Sequence, residues 1–205
     1  MNTRRLTPMS TAIVIPAKPF DEAKTRLGEC LSAEQRAALS RRLLRRTLRL
    51  ALGVADRVVV VSRDRALLAE VEAAGAVGLV EEAPGLNAAL TQATDFARGQ
   101  GADGVLVLPA DLPRLTALDI RAIIQLGARA PAVVIAPCRH ETGTNALLMR
   151  PPGLVPFAFG PDSFAAHCAA AHAAGTPPQI YRSPTIALDL DTPEDWELLR
   201  SPFAI

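Results

Sequence analysis

The apolar positions of this chain fall into short solid runs separated by longer stretches with a helical repeat. Ala12–Pro16, Arg57–Ser62, Val77–Val80 and Val105–Leu108 are the runs in the first half. Runs this short and β-branched, with no polar residue at alternate positions, predict strands covered on both faces. Between them, Ser32-Ala33-Glu34-Gln35 has the form of a capping box opening a helix. Leu44, Leu48 and Ala51 share one face of that helix, and Arg41, Arg45 and Arg49 another. The arginine stripe reads as a solvated face. Further helices are expected over Asp64–Ala74, closing at Gly75, over Ala88–Ala97, over Thr116–Leu126 behind a second capping box, and over Phe164–Ala174. Ala132–Ala136, Ala146–Met149 and Thr185–Asp191 read as further strands, and Thr192-Pro193-Glu194-Asp195 as the start of a last helix. Strands alternating with helices predict an α/β fold: a doubly wound, mostly parallel, Rossmann-like sheet. No stretch reads as a linker. Residues 11–205 are therefore expected to form a single domain behind a flexible tail over 1–10.

Charge collects where these strands end. Asp111 follows Val105–Leu108 by way of Pro109 and precedes Pro113, which forces a turn. That puts a carboxylate at the carboxyl end of a central strand, where open α/β sheets bind ligands, although a turn or capping aspartate would look the same. Asp189 and Asp191 stand at i and i+2, on one face of the strand expected there, and one of them could cap the helix that follows. Unpaired carboxylates brought together repel, so the partner that suits Asp111, Asp189 and Asp191 is a hard divalent cation. Lys18, Lys24 and Arg26 follow the first strand directly; they read as phosphate ligands or as surface charge, and the segment lacks the P-loop pattern. Asn87 reads as a helix cap or as a hydrogen-bond partner of a base or ribose. Gly160 and Ser163 stand at a helix amino terminus, suited to an anion, and Ser163 reads equally as the cap.

Composition narrows the rest. The chain has 205 residues, is 49% hydrophobic and 21% charged, and carries a net charge of +1. It reads as globular and without the basic excess of nucleic-acid binders. Cys30, Cys138 and Cys168 are odd in number and not closely paired, which predicts neither a disulfide framework nor a zinc site. No signal segment or membrane-length apolar run is read, so a cytoplasmic protein is expected. His140, His167 and His172 are scattered and read as surface or packing positions rather than catalytic ones.

Several of these pieces occur together in one order: Ile15-Pro16-Ala17-Lys18-Pro19, Glu22-Ala23-Lys24-Thr25-Arg26-Leu27, Gly85-Leu86-Asn87-Ala88-Ala89-Leu90, and Leu108-Pro109-Ala110-Asp111-Leu112-Pro113. Gly143-Thr144-Asn145-Ala146-Leu147, Phe159-Gly160-Pro161-Asp162-Ser163-Phe164 with His167, and Asp189-Leu190-Asp191-Thr192-Pro193-Glu194-Asp195 complete the series. Together they resemble the guanylyltransferase family of coenzyme F-420 biosynthesis, which acts on 2-phospho-L-lactate, phosphoenolpyruvate or 3-phospho-D-glycerate. The resemblance implies a nucleotidyltransferase fold and transfer of GMP from GTP to the phosphate of a three-carbon acid, with release of pyrophosphate. By motif position, it implies Mg²⁺ on Asp111, Asp189 and Asp191, and the GTP phosphates on Lys18 and Lys24. Nucleotide contacts would come from Ala17, Leu86, Asn87 and Pro109, and acceptor contacts from Thr144, Gly160 and Ser163. Catalysis would rest on Lys18, Lys24 and Asp111. The partners it implies are small molecules, with a homodimer as a candidate assembly and no nucleic acid or membrane.

Such a reaction fits these residues, because an ionised acceptor phosphate needs no general base. It needs two anions placed in line and their charge neutralised. Cys138 and Glu141 depart from the pattern, which leads one to expect an aspartate and a glycine before Gly143. A carboxylate beside an anionic acceptor is tolerated if it accepts a hydrogen bond from an acceptor hydroxyl, which keeps 3-phospho-D-glycerate in view; Glu141 reads equally as pointing into solvent. The competing readings are a molybdenum-cofactor or sugar-phosphate nucleotidyltransferase, against which Phe159–Ser163 argues, and a non-catalytic nucleotide-binding protein.

Overall fold

Hydrogen bonding between the apolar runs makes one sheet with strand order β3-β2-β1-β4-β6-β5-β7. The structure, a computed structural model, describes residues 10–200. The strands are β1 (Thr11–Pro16), β2 (Arg57–Ser62), β3 (Val77–Val80), β4 (Gly104–Val107), β5 (Ala132–Pro137), β6 (Thr144–Arg150) and β7 (Gln179–Ile180). All pairings are parallel except those of β6, which runs antiparallel to both β4 and β5. The expected doubly wound, mostly parallel sheet is therefore what forms.

Alternation along each strand feeds two helical layers. Ile13, Ile15, Val58, Val60, Leu106 and Leu148 pack on one side, against α1 (Ala33–Leu52), α2 (Arg65–Ala73), α4 (Ala117–Leu126) and the short α6 (Pro184–Ala187). Ala12, Val14, Val59, Val107, Ile135 and Leu147 pack on the other, against α3 (Leu86–Gly99) and α5 (Ser163–Ala173). The last helix, α7 (Pro193–Arg200), closes a smaller cluster in which Leu27, Leu43 and Leu190 are buried beside Trp196.

The two capping boxes form as expected, Ser32 with Gln35 and Thr116 with Asp119. Asp64 caps α2 with its side chain. Four expectations are corrected. Thr185–Asp191 is not a strand: Ser183 caps, Pro184 opens α6, and Thr185 Oγ1 is bonded to Asp119 on α4. Neither Asp189 nor Asp191 caps α7; Thr192 and Asp195 exchange the capping bonds there. Asn87 lies inside α3, whose cap is Gly85 at φ +112°, a conformation suited to glycine. Ser163 does not cap α5, because Asp162 holds that position and the Ser163 hydroxyl turns to β6. The expected tail over 1–10 lies outside the described residues except for Ser10, whose N–H donates to Asp103.

Candidate active site

A cavity of about 730 Å³ opens over the carboxyl ends of β1 and β4. Its walls come from several places in the chain. The connection after β1 contributes Ala17, Lys18, Lys24 and Arg26; the start of α3 contributes Gly85 and Leu86. The turn after β4 contributes Pro109 and Asp111, and Asp189 and Asp191 close the same side. Thr144 and Asn145, at the start of the reversed strand β6, face them together with Phe159.

The acidic side is assembled by burial of an apolar residue. Leu190 is fully buried in the cluster with Leu27 and Leu43, and its N–H donates to the Asp111 carbonyl at 3.0 Å. Its two acidic neighbours are thereby held at the cavity wall without any strand pairing. Lys24 sits in the left-handed region at φ 58°, which costs a residue with a side chain roughly 1 kcal/mol. In return its ammonium lies between Asp111 Oδ2, at 2.8 Å, and Asp191 Oδ1, at 2.7 Å, with its side chain only 8% exposed. Burial by itself would lower the Lys24 pKa, but the charges and hydrogen bonds of Asp111 and Asp191 outweigh it and hold it above the usual lysine value. Asp189 has no such partner. Burial, reinforced by the charges of Asp111 and Asp191, raises its pKa above the usual carboxylate value. An amide hydrogen bond from Asn145 Nδ2 at 3.5 Å is weak support.

The opposite side is hydroxyl-lined and pinned by two buried side chains. The Thr144 N–H donates to Ser163 Oγ at 3.0 Å, and Thr144 Oγ1 lies 2.9 Å from His167 Nδ1. The Ala158 N–H donates to His167 Nε2 at 3.0 Å. Burial of this ring lowers its pKa to about 4. Both ends of the Asn87 amide are taken by the backbone of Phe159, Oδ1 accepting its N–H at 2.9 Å and Nδ2 donating to its carbonyl at 3.1 Å. The Phe159 ring meets the His167 ring edge-on, with centroids 4.8 Å apart.

Of the residues singled out in the sequence, Ala17, Lys18, Lys24, Leu86, Pro109, Asp111, Thr144, Asp189 and Asp191 line the cavity. Asn87 and Ser163 stand behind the wall, each bonded to a residue that lines it; Gly160, at φ +141°, follows Phe159 and is exposed. Glu141 does not reach the cavity. It lies on the surface in an ion pair with Arg182 at 2.7 Å, so it is not placed to take an acceptor hydroxyl. Cys138 closes the loop before β6, its Sγ accepting the Gly143 N–H at 3.1 Å. Three residues went unread. Arg63, at the carboxyl end of β2, lines the cavity and pairs with Glu22. Asn145 is buried and donates to the carbonyls of Ile186 and Ala187, fixing the approach to Asp189. Phe159 supplies the aromatic wall. The cation after a strand end was the signal available for Arg63; the other two stand in quoted motifs, Gly143–Leu147 and Phe159–Phe164, that gave them no role of their own.

Among the described residues, no three histidine, cysteine or acidic side chains are gathered tightly enough to enclose a metal by themselves. The Lys24 ammonium lies between two of the three carboxylates on which a metal is expected.

The chain matches the family model described as "Guanylyl transferase CofC like" over residues 11–200. The chain belongs to that family. Among the CofC-like relatives, the phosphoenolpyruvate guanylyltransferase of Rubrobacter xylanophilus is 44% identical over 188 residues, covering 91% of this chain and 92% of its own. The 3-phospho-D-glycerate guanylyltransferase of Colwellia psychrerythraea is 34% identical over 193 residues, 93% of this chain and 91% of its own. By fold alone, a protein of Desulfovibrio desulfuricans G20 assigned to the nucleotide-diphospho-sugar transferases superimposes with a TM-score of 0.76 at 18% identity, covering 95% of this chain and 90% of that one. No described helix of this CofC-like chain is long and apolar enough to cross a membrane.

Proposed function

We propose that the protein transfers GMP from GTP to the phosphate of phosphoenolpyruvate, within coenzyme F-420 biosynthesis in the cytoplasm. An acceptor phosphate oxygen attacks the α-phosphorus of GTP, the α–β bridging bond breaks, and pyrophosphate leaves. The observation that carries this reading is the convergence of Asp111, Asp189, Asp191 and Lys24 in one cavity with Thr144. Carboxylates there already hold one cation between them, and Asp189 lacks a counter-charge, so the donor set fits a hard divalent ion. Asp111, Asp189 and Asp191 would hold Mg²⁺, completed by substrate phosphates and water. The ion would neutralise charge on the α-phosphate and the departing pyrophosphate.

Lys18, Lys24 and Arg26 supply the remaining positive charge for the triphosphate, Lys24 from its place between Asp111 and Asp191. Ala17, Leu86 and Pro109 form the nucleotide side of the wall, and Asn87 acts there through Phe159. Thr144, with Ser163 behind it and Gly160 exposed next to Phe159, receives the acceptor. Because the acceptor phosphate is already ionised near neutral pH, no base is asked of the protein; placement and charge neutralisation do the chemistry.

Phosphoenolpyruvate is favoured over 3-phospho-D-glycerate for two reasons. The relative at 44% identity is named for it, and Glu141, the one carboxylate expected to receive an extra hydroxyl, is tied to Arg182 outside the cavity.

Mixing the protein with GTP and Mg²⁺ and offering the three acids separately tests this. Pyrophosphate release with phosphoenolpyruvate, and a product whose mass is the acid plus GMP, is the expected result. Preference for 3-phospho-D-glycerate would move the acceptor assignment. Binding of GTP without release in any mixture would overturn the catalytic reading.

A further inference from the structure

His167 is fully buried, yet its ring is more than filling. Its Nε2 receives the Ala158 backbone N–H at 3.0 Å. A backbone N–H can only donate, so Nε2 must be bare and the ring proton must sit on Nδ1. The reverse tautomer would set two N–H groups against each other. Protonation of both nitrogens would do the same, and burial, which lowers this pKa to about 4, acts in the same direction. With its proton on Nδ1, the ring donates to Thr144 Oγ1 at 2.9 Å. That oxygen is then an acceptor toward the protein interior, and its own proton is left for another partner. Among the described residues nothing takes it, and Thr144 lines the cavity.

We propose that His167 is a positioning residue for the acceptor, donating from Nδ1 to Thr144 Oγ1 so that the Thr144 hydroxyl proton is turned into the cavity as a donor to an oxygen of the phospho-acid. This rests on the assignment of Thr144 to the acceptor made above. The Ala158 amide fixes the tautomer, Phe159 packs edge-on against the ring, and Asn87 clamps Phe159 from α3. A hydroxyl without this donor behind it would be free to turn its proton elsewhere. Held this way, it offers an anion a donor whose orientation is set before binding.

A double-mutant cycle with phosphoenolpyruvate as the acceptor tests the coupling. His167→Gln keeps a carbonyl for the Ala158 amide but moves the donor away from Thr144. Thr144→Val removes the hydroxyl. Each single change is expected to raise the acceptor KM about tenfold, the effect of one lost hydrogen bond to a charged group, with the GTP KM changed less than twofold. The double variant is expected to match Thr144→Val alone. If the two effects multiply to about a hundredfold, His167 acts on the fold and not through Thr144, and the inference fails. If Thr144→Val leaves the acceptor KM unchanged, the assignment of Thr144 to the acceptor fails instead, and the inference with it. Nitrogen NMR of the histidine ring in the unmodified protein gives a check that needs no variant. A protonated Nδ1 with a bare Nε2 is expected, and the opposite tautomer or a doubly protonated ring at neutral pH would overturn the proposal.

Discussion

Lys24 shows how one side chain can be asked to do two things. It stands between Asp111 and Asp191 and offsets part of their repulsion. A divalent ion entering the same gap must displace it, so the lysine competes with metal even as it assists the phosphates. Replacing it should therefore move two measurements in opposite directions. Lys24→Met is expected to tighten Mg²⁺ in the absence of GTP, by about tenfold on removal of a unit charge at contact distance, and to lower turnover at least tenfold. Titrating the rise in melting temperature with Mg²⁺ reads the first effect and pyrophosphate release the second. Weaker Mg²⁺ binding by the variant would mean that Lys24 organises the carboxylates rather than competing for them.

At the scale of elements, the site depends on three contacts between distant segments: Leu190 on Asp111, Asn145 on α6, and Asn87 on Phe159. The last is the most exposed to test. Asn87→Ala removes two hydrogen bonds between α3 and the segment after β6, at a cost of about 1–2 kcal/mol in urea unfolding, and should raise KM for both substrates. A rise confined to GTP would return Asn87 to direct contact with the nucleoside. These contacts also mark where reading the chain alone stops. Strand ends and capping boxes are local, so β1, β2, the two boxes and the acidic turn after β4 were legible from spacing. Ile186, Leu188 and Leu190 alternate with Ala187, Asp189 and Asp191, which is a strand pattern. Yet Ile186 is buried against the sheet and Leu190 in the separate cluster under α7, so no single sheet face was being described. Asn87 was legible as important but not as a clamp, because its partner lies 72 positions away. For Glu141 the two readings, acceptor hydroxyl or solvent, could not be separated along the chain for a similar reason: Arg182, its partner at the surface, follows β7.

For the molecule as a whole, the buried imidazole of His167 links stability to pH. Its pKa near 4 lies below the ordinary 6.5, so the unfolded chain binds the extra proton first as pH falls. Stability should therefore rise with pH from about 4 to 6.5 and level off above, a change of roughly 3 kcal/mol from this ring alone. Asp119 and Asp195, whose hydrogen bonds hold their pKa values low despite burial, add losses only in more acid solution. Asp189, raised by burial and by its acidic neighbours, works in the opposite sense as pH increases, so the measurement is best made with saturating Mg²⁺. Urea unfolding across that pH range should give a shallower slope for His167→Gln than for the unmodified protein; equal slopes would assign the dependence to other groups. The sheet itself carries one more implication. Because β6 runs against its neighbours, the segment joining it to β5 is a hairpin loop over residues 138–143, closed by Cys138, and not a crossover. A loop of that kind can be exchanged between relatives without rerouting the chain through β1, β2 or β4. None of those six positions lines the cavity, so an exchange of the loop is expected to leave both the carboxylate side and the Thr144 side of the site in place, and unchanged relative rates with the three acids would check it.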